Sequence, residues 1–546
     1  MGACQCKCCV SQEEDKSNLS AYEAPSSSRS NSVLGINTTS PLSRDRSNSS
    51  SKKKSYTPKS VDNLILQTLN IIGKLGLSGY NQEPPDALQK LHIIGDQEEG
   101  WLQIIISMIN IVPVDDPLGP AVITVVLDDC PLPNKDTVLR LSKMLNLSKY
   151  ASYRIRKAVH YHRNICVILG VLAEKLPGPS SVAMLTPGTL EYLITNLDHK
   201  KVDPVITLFS LIALEKFAQI TENKIVIKNY LDNDPKNPLL VLENLVKSEN
   251  YVEAQAGFCA RWLLDNIFPY KGRKYSYLTA DNNKLNAMLN TRDTSEYLKL
   301  SPDGIEARCD AYLFESVRCT FQINHGIWYY EATILSSGVM QIGWATINSI
   351  FRNHEGYGIG DDEHSISYDG CRQQLWYTAL NEAIDTRPPW QPGDVVGCLI
   401  NVPEEYVSFY LNGHLVTKNS QLFTTARCGF FAAASFMTFQ HCRFNFGHKP
   451  FKYPPLDVNF STFNDHGCLS ESERLVLPRH VQFKQIQNLS ILEDSCTLCF
   501  DNKATVLLEP CRHSGFCLQC SKQLTRCPVC RTEIDEVTED ETLINI

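Results

Sequence analysis

Residues 496–531 read CTLCFDNKATVLLEPCRHSGFCLQCSKQLTRCPVCR. Cys496, Cys499, Cys511, His513, Cys517, Cys520, Cys527 and Cys530 fall there into four tight pairs, spaced C-x2-C-x11-C-x-H-x3-C-x2-C-x6-C-x2-C. Eight soft or borderline ligands in four pairs are what two tetrahedral zinc ions require, each closed by four protein ligands. So short a segment, with few apolar residues, cannot fold on core burial alone. Ligation, at an apparent ~10–16 kcal/mol per structural zinc, has to supply the difference. Dense C-x2-C pairing with a histidine suits metal better than disulfides. The cofactor expected is therefore two Zn2+ ions.

The order of the ligands carries more than their number. A C-x-H pair between two C-x2-C pairs, followed by a final C-P-x-C, resembles the C3HC4 RING finger, the zinc module of ubiquitin ligases. RING fingers interleave their sites, so the resemblance assigns Cys496, Cys499, Cys517 and Cys520 to one zinc. Cys511, His513, Cys527 and Cys530 take the other. The resemblance also implies roles for their neighbours. Leu498 and Leu524 occupy the places of apolar contacts for an E2 ubiquitin-conjugating enzyme, and Pro528 completes that shallow groove. Arg531 matches the linchpin cation that hydrogen-bonds both E2 and ubiquitin, a task suited to a guanidinium with several donors in fixed geometry. A zinc module that only holds structure, with Arg531 as a surface charge, is the plainer alternative.

Outward from this segment, 546 residues with 43% hydrophobic composition leave room for three or four domains with real cores. A net charge of -8 and a pI near 5.9 argue against nucleic acid as a partner, because phosphate binding needs a concentrated basic surface. Of 21 cysteines, seven belong to the zinc segment and four crowd the first nine residues. The others are scattered singly among apolar residues, as thiols in a reducing cytoplasm are. No stretch reaches the ~20 apolar residues that cross a bilayer, and 101–114 reads as a buried helix stopped at Pro113. No apolar stretch of signal-peptide type opens the chain, although a start upstream of Met1 would leave the secretory pathway as the alternative.

The opening MGACQCKCC nevertheless points to a membrane surface. Gly2 is placed to accept myristate and Cys4, Cys6, Cys8 and Cys9 palmitate, the two-signal anchor that gives peripheral attachment. Cys6 stands where the myristoylation pattern wants Ser or Thr, and a plain tail with incidental cysteines is the alternative. The tail, 1–60, is rich in Ser, Asn, Arg and Lys and cannot bury enough apolar surface to offset ordering entropy. Disorder is expected there.

Between 61 and 270 apolar residues recur at helical spacing in 61–75, 101–111, 121–127, 137–147, 165–176, 190–197, 205–220, 239–245 and 254–267, with prolines between. The pattern predicts an all-α scaffold. The stretch VITLFSLIALEKFAQITENKIVI looks armadillo-like, with a plain bundle as the alternative. A linker is expected over 271–300.

From 301 to 451 the pattern turns all-β. Runs such as WYYEATIL, VMQIGWAT, VVGCLIN and YVSFYLNG recur between Gly, Asn and Asp turns and suggest an antiparallel sandwich. Trp328-Tyr329-Tyr330-Glu331, Gln341-Ile342-Gly343-Trp344, Gly356-Tyr357-Gly358-Ile359-Gly360, the approach from Trp390 through Gly393-Asp394 to Val395-Val396-Gly397, and Phe409-Tyr410-Leu411-Asn412-Gly413 resemble the SPRY domain. SPRY domains bind protein through loops at one end of the sandwich, so the resemblance implies recognition of a protein substrate. Loop candidates are Tyr357, Asp361, Asp362 and Trp390, with Arg352, His354, Glu355 and Glu363 beside them; an ordinary solvated acidic loop is the alternative for the Asp-Asp-Glu run. Trp328, Trp344 and Trp376 read as core. A linker with helix follows over 452–494, opened by a capping box of Ser470 and Glu473. The zinc segment takes 495–531, and 532–546 reads as an acidic tail.

The order of helical region, SPRY segment and terminal zinc module resembles the RING finger and SPRY domain-containing family. The implied function is a RING-type E3 ubiquitin-protein ligase, which forms no covalent ubiquitin intermediate but docks a charged E2 and orients its thioester. The implied partners are an E2, ubiquitin, a protein substrate and a second RING in a dimer. A non-catalytic adaptor is the alternative. A direct enzyme finds no nucleophile and base in suitable order.

Overall fold

The computed structural model describes residues 57–72, 85–148, 158–488 and 495–539, apart from 296, 352–355, 379, 385–387, 500–501 and 531. The tail with Gly2, Cys4 and Cys6 and the arginine at 531 lie outside the described residues, as do Arg352, His354 and Glu355.

The first region is all-α: α1 (Pro58–Ile72), α2 (Asp86–Gly95), α3 (Glu98–Ile111), α4 (Gly119–Asp129), α5 (Lys135–Leu145) and α6 (Val159–Lys175). It continues with α7 (Gly178–Met184), α8 (Pro187–Thr195), α9 (Pro204–Phe217), α10 (Thr221–Asn233), α11 (Pro238–Leu242) and α12 (Tyr251–Asn266). Their starts follow local chemistry. Asp203 accepts from the Val205 amide at 3.0 Å with Pro204 as first helical residue, and Asn250 accepts from Val252 and Glu253. Helix α9 is buried on nearly every side between α6 and α12. Gly170 of α6 faces Ala213 of α9, where an added Cβ would lie in contact, 3.4 Å from the Ala213 backbone. The armadillo-like reading of 205–227 is not confirmed. That stretch is two helices parted at Ala218, Gln219 and Ile220, in a set running from five residues to seventeen.

The sandwich has two antiparallel sheets. One is β1 (Leu298–Leu300), β2 (Glu306–Cys309), β13 (Gln440–Asn445), β4 (Ile327–Ile334), β9 (Val395–Asn401), β10 (Tyr406–Leu411) and β11 (His414–Asn419), in that spatial order. The other is β3 (Glu315–Arg318), β12 (Phe430–Phe436), β5 (Met340–Thr346), β6 (Ser365–Asp369), β7 (Gln374–Tyr377) and β8 (Leu380–Ala383). Trp344, Tyr330, Phe444 and Phe446 fill the space between them, and Trp328 and Trp376 are buried as expected.

Both segments expected as linkers contribute to this body. Ala287 and Leu289 are core residues, and Phe463, in the short helix α13 (Phe463–His466), is fully buried against Trp328, Tyr330 and Trp344. On the outer face of β4, Phe451 and Phe460 pack on Tyr329, and the Glu331 carboxylate accepts from the Lys452 and Tyr453 amides at 2.8 and 2.7 Å. Ser470 and Glu473 make the reciprocal capping bonds, at 2.9 and 3.3 Å, but 471–474 is a turn and no helix follows until α14 (Arg479–Asn488).

The helical array and the sandwich share a buried seam. Phe314, Val339, Met437 and Phe439 of the sandwich belong to the core of the array, with Phe439 edge-on to Phe209 at 5.1 Å. At its centre Lys299 pairs with Asp310 at 2.7 Å and with Glu215 of α9. Arg308 pairs with Asp310 at 2.8 Å and donates to Gln255 of α12, whose amide reaches the Leu335 carbonyl. Two cations and two carboxylates so enclosed balance in charge.

The zinc segment forms a three-stranded sheet, β15 (His513–Phe516), β14 (Val506–Glu509), β16 (Glu536–Glu539), with the short helix α15 (Leu518–Ser521). Strand β16 lies in the stretch expected as an acidic tail. Val537 opposite Leu508 gives the small core an extra apolar layer, which explains the pairing. Among the described residues no helix is long and apolar enough to cross a membrane.

Candidate zinc centre and docking surfaces

The two ligand quartets assemble as the interleaved assignment requires. Cys496, Cys499, Cys517 and Cys520 form one and Cys511, His513, Cys527 and Cys530 the other, each with its ligand atoms within 4.8 Å of one another. Local backbone places them. The Cys496 amide donates to the Asn502 carbonyl at 2.7 Å and the Thr497 amide to Gly515 at 2.8 Å, which turns the first pair back over β15. Cys517 caps α15, its Sγ accepting from the Cys520 amide at 3.4 Å, so the third pair faces one way.

The chemistry of the donors favours a cation. Cys517 above all, then burial and the other two thiols, push Cys520 up to about 12, because four sulfurs so close cannot all ionise unaided. At Cys530 the Thr532 hydroxyl and amide hold the thiol down to about 6, toward the thiolate a metal takes. His513 Nδ1 is buried with no hydrogen-bond partner. A divalent zinc in each quartet would relieve all three, and in a site closed by four protein ligands it supplies structure rather than an open catalytic position.

Around the quartets, Leu498 is 45% exposed inside the first pair and Pro528 is exposed inside the last. Leu524 is half-buried and packs on the zinc core. Val529, 61% exposed beside Pro528, extends the apolar rim and was not singled out from the sequence. It holds the place in the last C-x2-C that Leu498 holds in the first, which is the signal that could have found it.

On the sandwich, Tyr357, Asp361 and Asp362 are half-buried in the 356–364 loop. Both carboxylates are engaged within the domain, mostly by the loop itself. Asp361 accepts from the Gly358 amide at 2.6 Å; Asp362 accepts from Ser349, His364 and Ser365. Trp390 corrects the expectation that it contacts a partner. It is 1% exposed, donates from Nε1 to Gly338 at 3.0 Å and stands edge-on to Tyr368. A Cβ on Gly370 would come 2.3 Å from its ring. Its ring belongs to the sandwich core beside β6.

A family model described as the SPRY domain matches residues 327–449, and one described as the zinc finger, C3HC4 type (RING finger), matches 492–537. The chain carries a SPRY domain and a C3HC4 RING finger. The folded sandwich extends beyond the SPRY match at both ends, through β1 to β3 and α13. The chain is 37% identical over 147 residues to the E3 ubiquitin-protein ligase RKP of Arabidopsis thaliana, covering 26% of this chain and 11% of that protein. It is 30% identical over 155 residues to the probable ATP-dependent RNA helicase ddx1 of Dictyostelium discoideum, covering 28% and 19%. Among solved structures, the SPRY domain of human HERC1 covers 31% of this chain and 99% of that one at 10% identity, with a TM-score of 0.24. The chain thus spans only a tenth to about a fifth of the curated relatives' lengths. Similarity to a ligase and to helicases over segments of like size leaves the RING residues, rather than the likeness, to carry any statement about activity.

Proposed function

We propose that the protein is a RING-type E3 ubiquitin ligase that recognises a protein substrate through its SPRY domain. The observation that carries this reading is the pair of assembled zinc quartets with exposed Leu498, Pro528 and Val529 between their ligands. An apolar rim on a zinc-braced frame suits the loops of an E2. Arg531, next after the last ligand, is the linchpin in this reading. It donates at once to E2 and to ubiquitin and holds the thioester toward the attacking lysine, so the rate gain is one of positioning. Leu524 supports the rim from the core side. The SPRY loop with Tyr357, Asp361 and Asp362 faces the substrate, its carboxylates shaping the loop more than touching the partner. Acylation at Gly2, Cys4 and Cys6 would hold the ligase at a cytoplasmic membrane surface.

Reconstitution with E1, a panel of E2 enzymes and ubiquitin tests the proposal. Wild type builds ubiquitin chains with at least one E2, and Cys496→Ser abolishes them. A wild-type chain inert with every E2 leaves the adaptor reading in its place.

A further inference from the structure

The stretch that joins the sandwich to the RING is clamped. Arg474 donates from Nε to the Leu285 carbonyl at 2.8 Å and from Nη2 to Asn286 at 3.0 Å, and its own carbonyl accepts from Asn282 at 2.8 Å. These three partners lie in the stretch that packs into the sandwich ahead of β1. Five residues on, the Arg479 amide donates to Asn266 at the end of α12 at 3.0 Å, and its guanidinium covers the Trp262 ring at 5.0 Å. His480 meets the Tyr275 hydroxyl at 3.1 Å. The strap is thus fixed first to the sandwich and then to the array, and it roofs a cavity of about 230 Å³ at their junction, lined by Trp262, Leu298, Pro302 and Phe483 among others.

Helix α14 starts at this second anchor and is described as far as Asn488. Seven peptide steps then separate Asn488 from Ser495, the first described residue of the RING. At ~3.3–3.6 Å per step they cannot place Ser495 beyond about 25 Å from Asn488. Free rotation of a RING on a long slack linker would sample most of the body; an anchored helix within seven peptide steps of the RING confines it.

We propose that Arg474 and Arg479 are positioning residues: by clamping the strap they confine the RING to one side of the array–sandwich body and so determine which lysines receive ubiquitin. This rests on the ligase reading. The two arginines touch neither E2 nor ubiquitin, and their effect is on where transfer happens, not on its intrinsic rate.

The test uses the full chain and two variants. One is Arg474→Ala with Arg479→Ala. The other inserts about ten Gly and Ser residues after Asn488, which leaves the clamp and the body intact and lengthens the tether. Two readings are taken: amine cross-links from Lys503 and Lys522 of the RING to lysines of the body, and the map of self-ubiquitinated lysines with E1, E2 and ubiquitin. In both variants cross-links and ubiquitin spread to at least about twice as many body lysines, while E2 discharge onto free lysine stays within about twofold of wild type. Unchanged cross-links in the double variant overturn the clamp. Broader cross-links with an unchanged ubiquitin map overturn the positioning role. A wild-type chain inactive with every E2 removes the ligase reading and the transfer role with it, while the cross-links still decide the clamp.

Discussion

The Sγ atoms of Cys499 and Cys517 stand 3.8 Å apart across eighteen residues of sequence. That is the edge of a tetrahedron of sulfurs around an ion at ~2.3 Å from each. The protein is therefore expected to purify with two zinc ions per chain by atomic emission, and Cys499→Ser to lose at least one. All six tryptophans lie upstream of the RING, so their fluorescence reports the body alone. Chelation should unfold the RING and leave that fluorescence unchanged; a body that melts with the zinc would contradict the separation.

Leu498→Ala should be nearly silent in stability, because the side chain is 45% exposed, at a cost within about 0.5 kcal/mol. Chain formation should fall at least tenfold with two zinc ions retained. Thermal melting and zinc content, measured beside activity, separate lost docking from lost folding.

The array–sandwich seam predicts a larger effect far from the RING. Lys299→Met strands Glu215 and Asp310 in a buried site without their shared cation, at a cost of about 3–5 kcal/mol in denaturant unfolding. Burial alone would raise the Asp310 carboxyl, but Arg308 and Lys299 outweigh it and hold it well below the ordinary carboxylate range. A depressed carboxylate contributes stability that is fully present above its unfolded value of about 3.9 and is lost as pH falls through the folded value. The body should thus lose stability by about 1.4 kcal/mol per pH unit from this group below pH ~4. A flat profile between pH 4 and 2 would show that the Asp310 carboxyl is not held low by Arg308 and Lys299.

Phe463→Ala, which empties a fully buried aromatic site, should cost about 3–5 kcal/mol. A fragment limited to 301–451 lacks Phe463, Ala287 and Leu289 and should be insoluble, whereas one that includes the array and extends past 475 should fold. Soluble, cooperative unfolding of the short fragment would contradict the place given to these segments.

What the sequence made legible follows physical lines. Ligand spacing and strand strings were readable because each is local: C-x2-C fixes two sulfurs on one turn, and WYYEATIL alternates along one strand. Helices α2, α7 and α10 were missed. In α10 only Asn223, Ile227 and Leu231 are buried, while Ile225, Val226 and Tyr230 face outward, so its apolar residues trace no single stripe. Trp390 was misplaced because a loop position says nothing of what folds over it. Phe463 and Val537 were lost in supposed linker and tail because their partners, Trp344 and Leu508, lie about 119 and 29 residues away, beyond any periodicity. The Lys299 quartet joins residues from both regions and has no local signature at all.

The most direct test of the ligase account is single-turnover discharge of a ubiquitin-charged E2 onto free lysine, with the full chain as wild type and as Arg531→Ala. The account predicts acceleration by wild type and loss of most of it in the variant, with both proteins holding two zinc ions. A variant that discharges E2 as fast as wild type would contradict it.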